Sequence, residues 1–67
     1  MPTSAIRVFE SLGDRPLSSK EIARLTSLSE RTVRYALRIL KQKGLVEEVF
    51  FLGDTRRRGY RRAVISQ

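Results

Sequence analysis

The chain has no cysteine and no histidine. Without cysteine it can form no disulfide and no thiolate metal site. Without histidine it lacks the commonest metal ligand and the commonest general base. Asparagine is also absent and arginine abundant, a balance compatible with a thermophilic source. No apolar run approaches the ~18 residues of a membrane span, and the N-terminus does not read as a signal peptide. There is no glycine-rich phosphate loop and no serine nucleophile motif. These absences argue against an enzyme, a cofactor, a bound metal and a membrane location, and for a soluble cytoplasmic chain. At 67 residues it reads as one domain over 1–67. A chain of that size buries only about 60% of its unfolded surface, so tight packing, a ligand or a partner subunit is expected to help hold it.

Charge is what the sequence has in excess. The net is +7, unevenly spread. Residues 1–28 carry four cations (Arg7, Arg15, Lys20, Arg24) against three anions (Glu10, Asp14, Glu21). Residues 29–67 carry ten cations and four anions. The C-terminal half is therefore the expected contact half for a polyanion. Eleven of the fourteen cations are arginine, whose planar fork suits phosphate and guanine edges better than lysine does. The acids do not suggest catalysis. Glu47 and Glu48 alternate across a strand and cannot act together, Glu10 and Asp14 flank a helix end, and all four read as solvated surface acids.

The longest patterned stretch is Ser29 to Leu45. Ser29 is a good N-cap, and Gly44 suits the left-handed residue that closes a helix, with Leu45 packing back on the last turn. Between them Val33, Leu37 and Leu40 form one apolar stripe, and Arg31, Arg34, Tyr35, Arg38 and Gln42 fall roughly opposite. Upstream, Thr3 or Ser4 can cap a first helix (about 4–12) with Ile6, Phe9 and Leu12 on one face and Gly13 as its end. Gly13-Asp14-Arg15-Pro16 is a turn cluster, and Pro16-Leu17 is long enough only to lend one short strand to a small sheet. Ser18-Ser19-Lys20-Glu21 matches a capping box, opening a second helix (about 19–25) with Ile22 and Leu25 inward. Thr26-Ser27-Leu28 breaks the pattern before the third helix (about 30–43). Helix, short turn, longer helix is the helix-turn-helix arrangement.

After Gly44 the period changes to that of strands. Val46 to Leu52 and Tyr60 to Ser66 read as a hairpin (about 46–66) around a polar loop, Gly53 to Gly59. Val46, Glu48, Phe50 and Leu52 share one side and Glu47, Val49 and Phe51 the other, both turning apolar from Val49 onward. One side must cover the helices. The other is a partner surface, or is re-aimed by a bulge. The fold class expected is mainly α with a small antiparallel sheet.

With these elements in order the chain resembles the winged helix-turn-helix family. It looks most like small archaeal and bacterial regulators of MarR-like and ArsR-like type. Leu17-Ser18-Ser19-Lys20-Glu21-Ile22-Ala23 and the run from Ser29 to Val46 carry the resemblance. It implies three helices plus a β-hairpin wing, with the third helix in the DNA major groove. The groove residues it implies are Arg31, Thr32, Arg34, Tyr35 and Arg38. The wing residues it implies, on backbone or minor groove, are Arg56, Arg57, Arg58 and Arg61. Ser18, Ser19 and Lys20 would meet phosphate. Larger relatives carry extra helices for dimerisation and effector binding; nothing follows the hairpin in this sequence, so effector sensing is not expected and the mode of dimerisation stays open.

Each assignment has a plainer alternative. The arginines of the third helix could be a solvated face, with Glu30–Arg34 as an i,i+4 pair. Tyr35 could meet a thymine methyl or a phosphate, or rest on the first helix. Arg56-Arg57-Arg58, with Arg61 and Arg62 behind, is self-repulsive unless phosphates neutralise it, or else is a charged disordered loop. Ser18 and Ser19 could serve only as a cap. The leading expectation is a DNA-binding transcriptional regulator, nucleoid-associated and paired as a homodimer on a two-fold site. The pairing expectation rests on the small core and the two-sided apolar hairpin. A non-specific architectural protein of chromatin type and a protein-interaction winged helix, using Phe50, Phe51 and Leu52, are the alternatives.

Overall fold

The computed structural model describes residues 1–51 and 54–64; for Phe51 and residues 54–56 it describes the backbone only. The chain runs α1 (Thr3–Ser11), α2 (Ser19–Thr26), α3 (Glu30–Gln42), β1 (Val46–Phe51) and β2 (Asp54–Arg62). This is the expected winged-helix order, three helices and an antiparallel hairpin. Among the described residues no helix is long and apolar enough to cross a membrane.

α3 is the central element. Ser29 Oγ accepts the Thr32 N–H at 3.1 Å, as the sequence predicts, and satisfies one of the orphan donors of the first turn. At the other end Gly44 takes φ +72, a region costly to any residue with a Cβ. Its N–H bonds the Lys41 carbonyl at 3.0 Å while the Leu45 N–H reaches the Leu40 carbonyl at 3.0 Å. That pair of bonds is a Schellman closure. Between the caps Val33, Ala36, Leu37 and Leu40 are buried, one stripe at helical spacing.

α1 and α2 pack on that stripe, and the core gathers Ala5, Val8, Leu12, Ile22 and Val46 around it. In α1 the buried face is Ala5, Val8 and Leu12, one step round from the expected Ile6, Phe9 and Leu12. Both stripes are compatible with 3.6-residue spacing, and the small Ala5 is the side chain that permits close approach. Ile6 is left 46% exposed and Phe9 half-buried. No side chain caps α1; instead the Pro2 carbonyl accepts the Ala5 and Ile6 N–H groups. Gly13 does not end the helix in a left-handed turn, because Leu12 leaves it in an extended conformation.

α2 opens on the predicted capping box: Ser18 Oγ accepts the Glu21 N–H, and the Ser18 N–H donates to Glu21 Oε1. It runs one residue beyond the expected Leu25, which points to solvent, 63% exposed. Thr26 takes the inward position four residues after Ile22. Its hydroxyl donates to the Ile22 carbonyl at 2.7 Å, which makes a buried polar side chain tolerable. Arg7 of α1 donates to the Thr26 carbonyl, one of the orphan acceptors at the end of α2. Ser27 then turns the chain in the left-handed region at φ 62, setting α2 and α3 apart by three residues.

The hairpin departs most from expectation. β2 begins at Asp54, inside what the sequence reads as a loop, and ends at Arg62. Ala63 and Val64 lie outside it, and Leu52, Gly53, Ile65 and Ser66 of the expected hairpin fall outside the described residues. The ladder pairs Val46 with Arg62, Glu47 with Arg61, Glu48 with Tyr60, Val49 with Gly59 and Phe50 with Arg58. A register shift follows Phe50, an irregularity of the kind that the mixed apolar faces allow for. The basic run thus belongs to a strand rather than to a loop tip. Tyr60 also exchanges both backbone bonds with Leu17, at 2.9 and 2.8 Å, which confirms the short strand expected of Pro16-Leu17.

Candidate nucleic-acid interface

Burying one stripe of α3 turns the other outward. Arg31, Arg34, Tyr35 and Arg38 line a shallow cleft along its exposed side. Tyr35 is 55% exposed. Thr32 is half-buried and its hydroxyl accepts the Ser29 hydroxyl at 2.9 Å, so it takes part in the cap of the helix. Glu30 and Arg34 approach to 3.9 Å, with side chains 40% and 68% exposed. An exposed i,i+4 pair of that kind is worth about 0.3–0.5 kcal/mol, too little to withhold Arg34 from a phosphate or a base.

Two further clefts join α3 to its neighbours. One, of about 350 Å³, lies between α3 and the hairpin, with Arg34, Arg38, Lys41, Glu48, Arg58 and Tyr60 among its lining. The other opens at the start of α2, where Ser18, Ser19 and Lys20 meet Arg34, Arg57 and Arg58. Arg34 lines all three clefts. The arginines of α3, two arginines of β2 and the positive end of α2 therefore share one surface.

The sequence-predicted residues divide on this surface. Ser18 has its hydroxyl committed to the cap, while Ser19 and the exposed Lys20 follow it in the first turn, where backbone N–H groups lack helical partners. The Glu21 carboxyl is held below its ordinary value, chiefly by the Ser18 N–H and then by its hydroxyl. Arg57 and Arg58 are exposed and line the clefts. Arg56 falls in β2, and its side chain lies outside the described residues. Arg61 is bonded to Glu47 across the ladder, on the side of the sheet opposite Glu48 and Tyr60, and lines none of these three clefts. Arg62 donates Nε and Nη2 to the Phe9 carbonyl, at 3.2 and 3.1 Å, and stacks 4.3 Å over the Phe9 ring. Strand alternation sends these cations to different neighbours.

Three residues of the surface escaped sequence reading: Lys41, Glu48 and Tyr60. Lys41 follows Arg34 and Arg38 at i+7 and i+3, a spacing that could have found it. Glu48 shares a strand face with the buried Val46, which argues against the solvated acid expected there. Its side chain is 18% exposed, with Oε1 3.3 Å from Lys41 Nζ and Oε2 3.4 Å from Arg58 Nη1. Tyr60 Oη donates to the same Oε2 at 3.2 Å. Burial pushes the Glu48 carboxyl up, but Lys41, Tyr60 and Arg58 outweigh it and hold the group below its ordinary value. Burial, with the Glu48 carboxylate beside it, pushes the Tyr60 hydroxyl up.

Residues 4–49 match the family model described as a helix-turn-helix domain. The chain belongs to the helix-turn-helix domain family. The match ends within β1, and solved structures extend the likeness over the hairpin. The crystal structure of the S. aureus MepR–DNA complex superposes with a TM-score of 0.73 at 22% identity, over 94% of this chain and 52% of that one. A probable transcriptional regulator from Pseudomonas aeruginosa superposes with a TM-score of 0.74, also at 22% identity, over 94% of this chain and 48% of that one. These likenesses establish the winged-helix fold. This helix-turn-helix chain spans about half the length of the solved proteins it matches. No curated protein matches it.

Proposed function

We propose that this helix-turn-helix protein binds double-stranded DNA and regulates transcription, with α3 in the major groove and the hairpin on the flanking backbone or minor groove. One observation carries the reading: Arg34 of α3 and Arg58 of β2 line two clefts together, one shared with Arg38 of α3 and the other with Arg57 of β2 and Ser19 and Lys20 of α2. A helix offering guanidiniums on its outer side, flanked by cations of a hairpin and by a helix N-terminus, matches the geometry of base edges bordered by two phosphate ridges. The likeness of the fold to that of MepR, solved in complex with DNA, supports DNA as the ligand.

Arg31, Arg34 and Arg38 are assigned to base edges and adjacent phosphates, and Tyr35 to a thymine methyl or phosphate. Thr32 sits at the entry of the helix into the groove. Ser18, Ser19 and Lys20 take a phosphate through backbone N–H groups and charge. Arg57 and Arg58 take the backbone beside the groove, and Arg56 belongs to the same run. Arg61, tied to Glu47 on the far side of the sheet, is assigned to holding the hairpin. Regulation is steric: bound protein excludes transcription machinery from its site. The location that follows is the nucleoid, and the activity is binding rather than catalysis.

The test is selection of bound duplexes from a random pool, followed by a salt titration of the winner. Expected is a preferred sequence bound at least about a thousand-fold more tightly than random duplex. A much smaller ratio, with a slope of about 0.9 log units per log unit of salt for each phosphate neutralised, would establish the architectural alternative instead. Pairing of two copies is supported by the small core and by Val49, half-buried on the outer side of the sheet. Sedimentation at micromolar concentration is expected to show twice the chain mass; a clean 7.7 kDa species rules pairing out.

A further inference from the structure

We infer that Glu48 is a specificity-determining acid: it neutralises Lys41 and offsets part of the charge of Arg58 within the DNA-facing cleft, and so suppresses binding to DNA of arbitrary sequence. The inference rests on the DNA reading and concerns the same surface.

Among the described residues Glu48 is the only acid lining the cleft between α3 and the hairpin. It stands between a lysine of the helix and an arginine of the strand, 3.3 and 3.4 Å away, and neither of those cations is buried, at 51% and 59% side-chain exposure. Left to themselves, two exposed cations at the edge of the proposed DNA surface would attract any phosphate, whatever the sequence beside it. The Glu48 carboxylate cancels part of that attraction and would meet an approaching phosphate as a like charge. Tyr60 Oη fixes the carboxylate by donating to Oε2, so the acid cannot swing clear without losing a hydrogen bond in a half-buried site. Arg31 and Tyr35 lie outside this cleft, in the adjoining one along α3, and keep their full reach toward base edges. The net effect is to subtract sequence-blind attraction while leaving base contacts in place, which raises the ratio between preferred and random DNA.

Glu48→Gln removes the charge but keeps the side-chain length and an acceptor for Tyr60. Glu47→Gln removes the same charge from the opposite side of the sheet, where the partner is Arg61. Binding of both variants to duplex of random sequence is measured between about 50 and 200 mM salt. Expected for Glu48→Gln is about 3- to 10-fold tighter binding at the low-salt end and a slope steeper by about one to two log units, as one or two cations become available to phosphate. Glu47→Gln is expected to change the slope by less than about half a unit. Equal changes in the two variants would reduce the effect to net charge and overturn the inference, as would unchanged or weaker binding by Glu48→Gln. Circular dichroism reports whether Glu48→Gln folds. If it does not, Lys41→Gln decides: a slope equal to wild type is expected because the lysine is already neutralised, and a loss of about 0.9 units would show Lys41 on phosphate and overturn the inference. Absence of any duplex binding by wild type at low salt overturns the DNA reading itself, an outcome distinct from the others.

Discussion

Arg34→Ala is expected to weaken binding to the preferred duplex about 10- to 100-fold, and binding to random duplex far less. Arg34 is the one residue of α3 common to all three clefts, its side chain is 68% exposed, and it pairs with the part-exposed Glu30 at 3.9 Å. A guanidinium with that freedom can lie along a guanine edge and bond it twice, an arrangement worth about 1–3 kcal/mol of discrimination. Arg34→Lys separates shape from charge. It keeps a cation for random duplex but not the fork, so discrimination is expected to stay lost while random binding returns. Competition binding with both duplexes at one salt concentration measures this. Equal losses of preferred and random binding for Arg34→Ala would show that Arg34 contacts phosphate and reads no base.

Leu40→Ala is expected to unfold the domain. Leu40 is fully buried at the centre of the core, and its carbonyl also closes α3 by accepting the Leu45 N–H. Truncating a buried leucine costs about 2–5 kcal/mol, part transfer and part cavity. A chain of this length has a total stability of about 3–10 kcal/mol, at roughly 0.05–0.15 kcal/mol per residue. One substitution therefore removes much or all of it. Leu25→Ala is the control. The same chemical change at a side chain 63% exposed is expected to stay within about 0.5 kcal/mol. Urea unfolding followed by circular dichroism gives both values, and similar losses for the two would place Leu25 in the core after all.

The helical part was legible because its signals are local. Ser18, Glu21 and Ser29 act within one turn, and Gly44 acts through its own φ, so the three caps and the turn between α2 and α3 could be placed from sequence. The face of α1 was not legible, since Ala5 and Ile6 are adjacent and only the close approach of α3 decides between them. Leu25 and Thr26 were misread for the same reason: hydrophobicity favoured the leucine, and the fold put the threonine inside because its hydroxyl can bond its own helix. The arginines of α3 could be located, because a buried stripe leaves only one side free. Those of the hairpin could not be sorted. Each one's neighbour depends on a register that shifts after Phe50, and on contacts with α1 and α3 far away in sequence.

The backbone bridge between Leu17 and Tyr60 also bears on how the protein avoids self-association into fibrils. A lone hairpin offers two open edges on which identical chains can stack. Here Leu17 occupies the outer edge of β2 at Tyr60, and the Gly13 carbonyl takes the Arg62 N–H further along. Lateral growth is thereby steered to the β1 side, where Glu47 and Glu48 sit mid-strand. In-register copies stacked there would set carboxylate against carboxylate, about 4.8 Å apart, and that repulsion guards the edge left open.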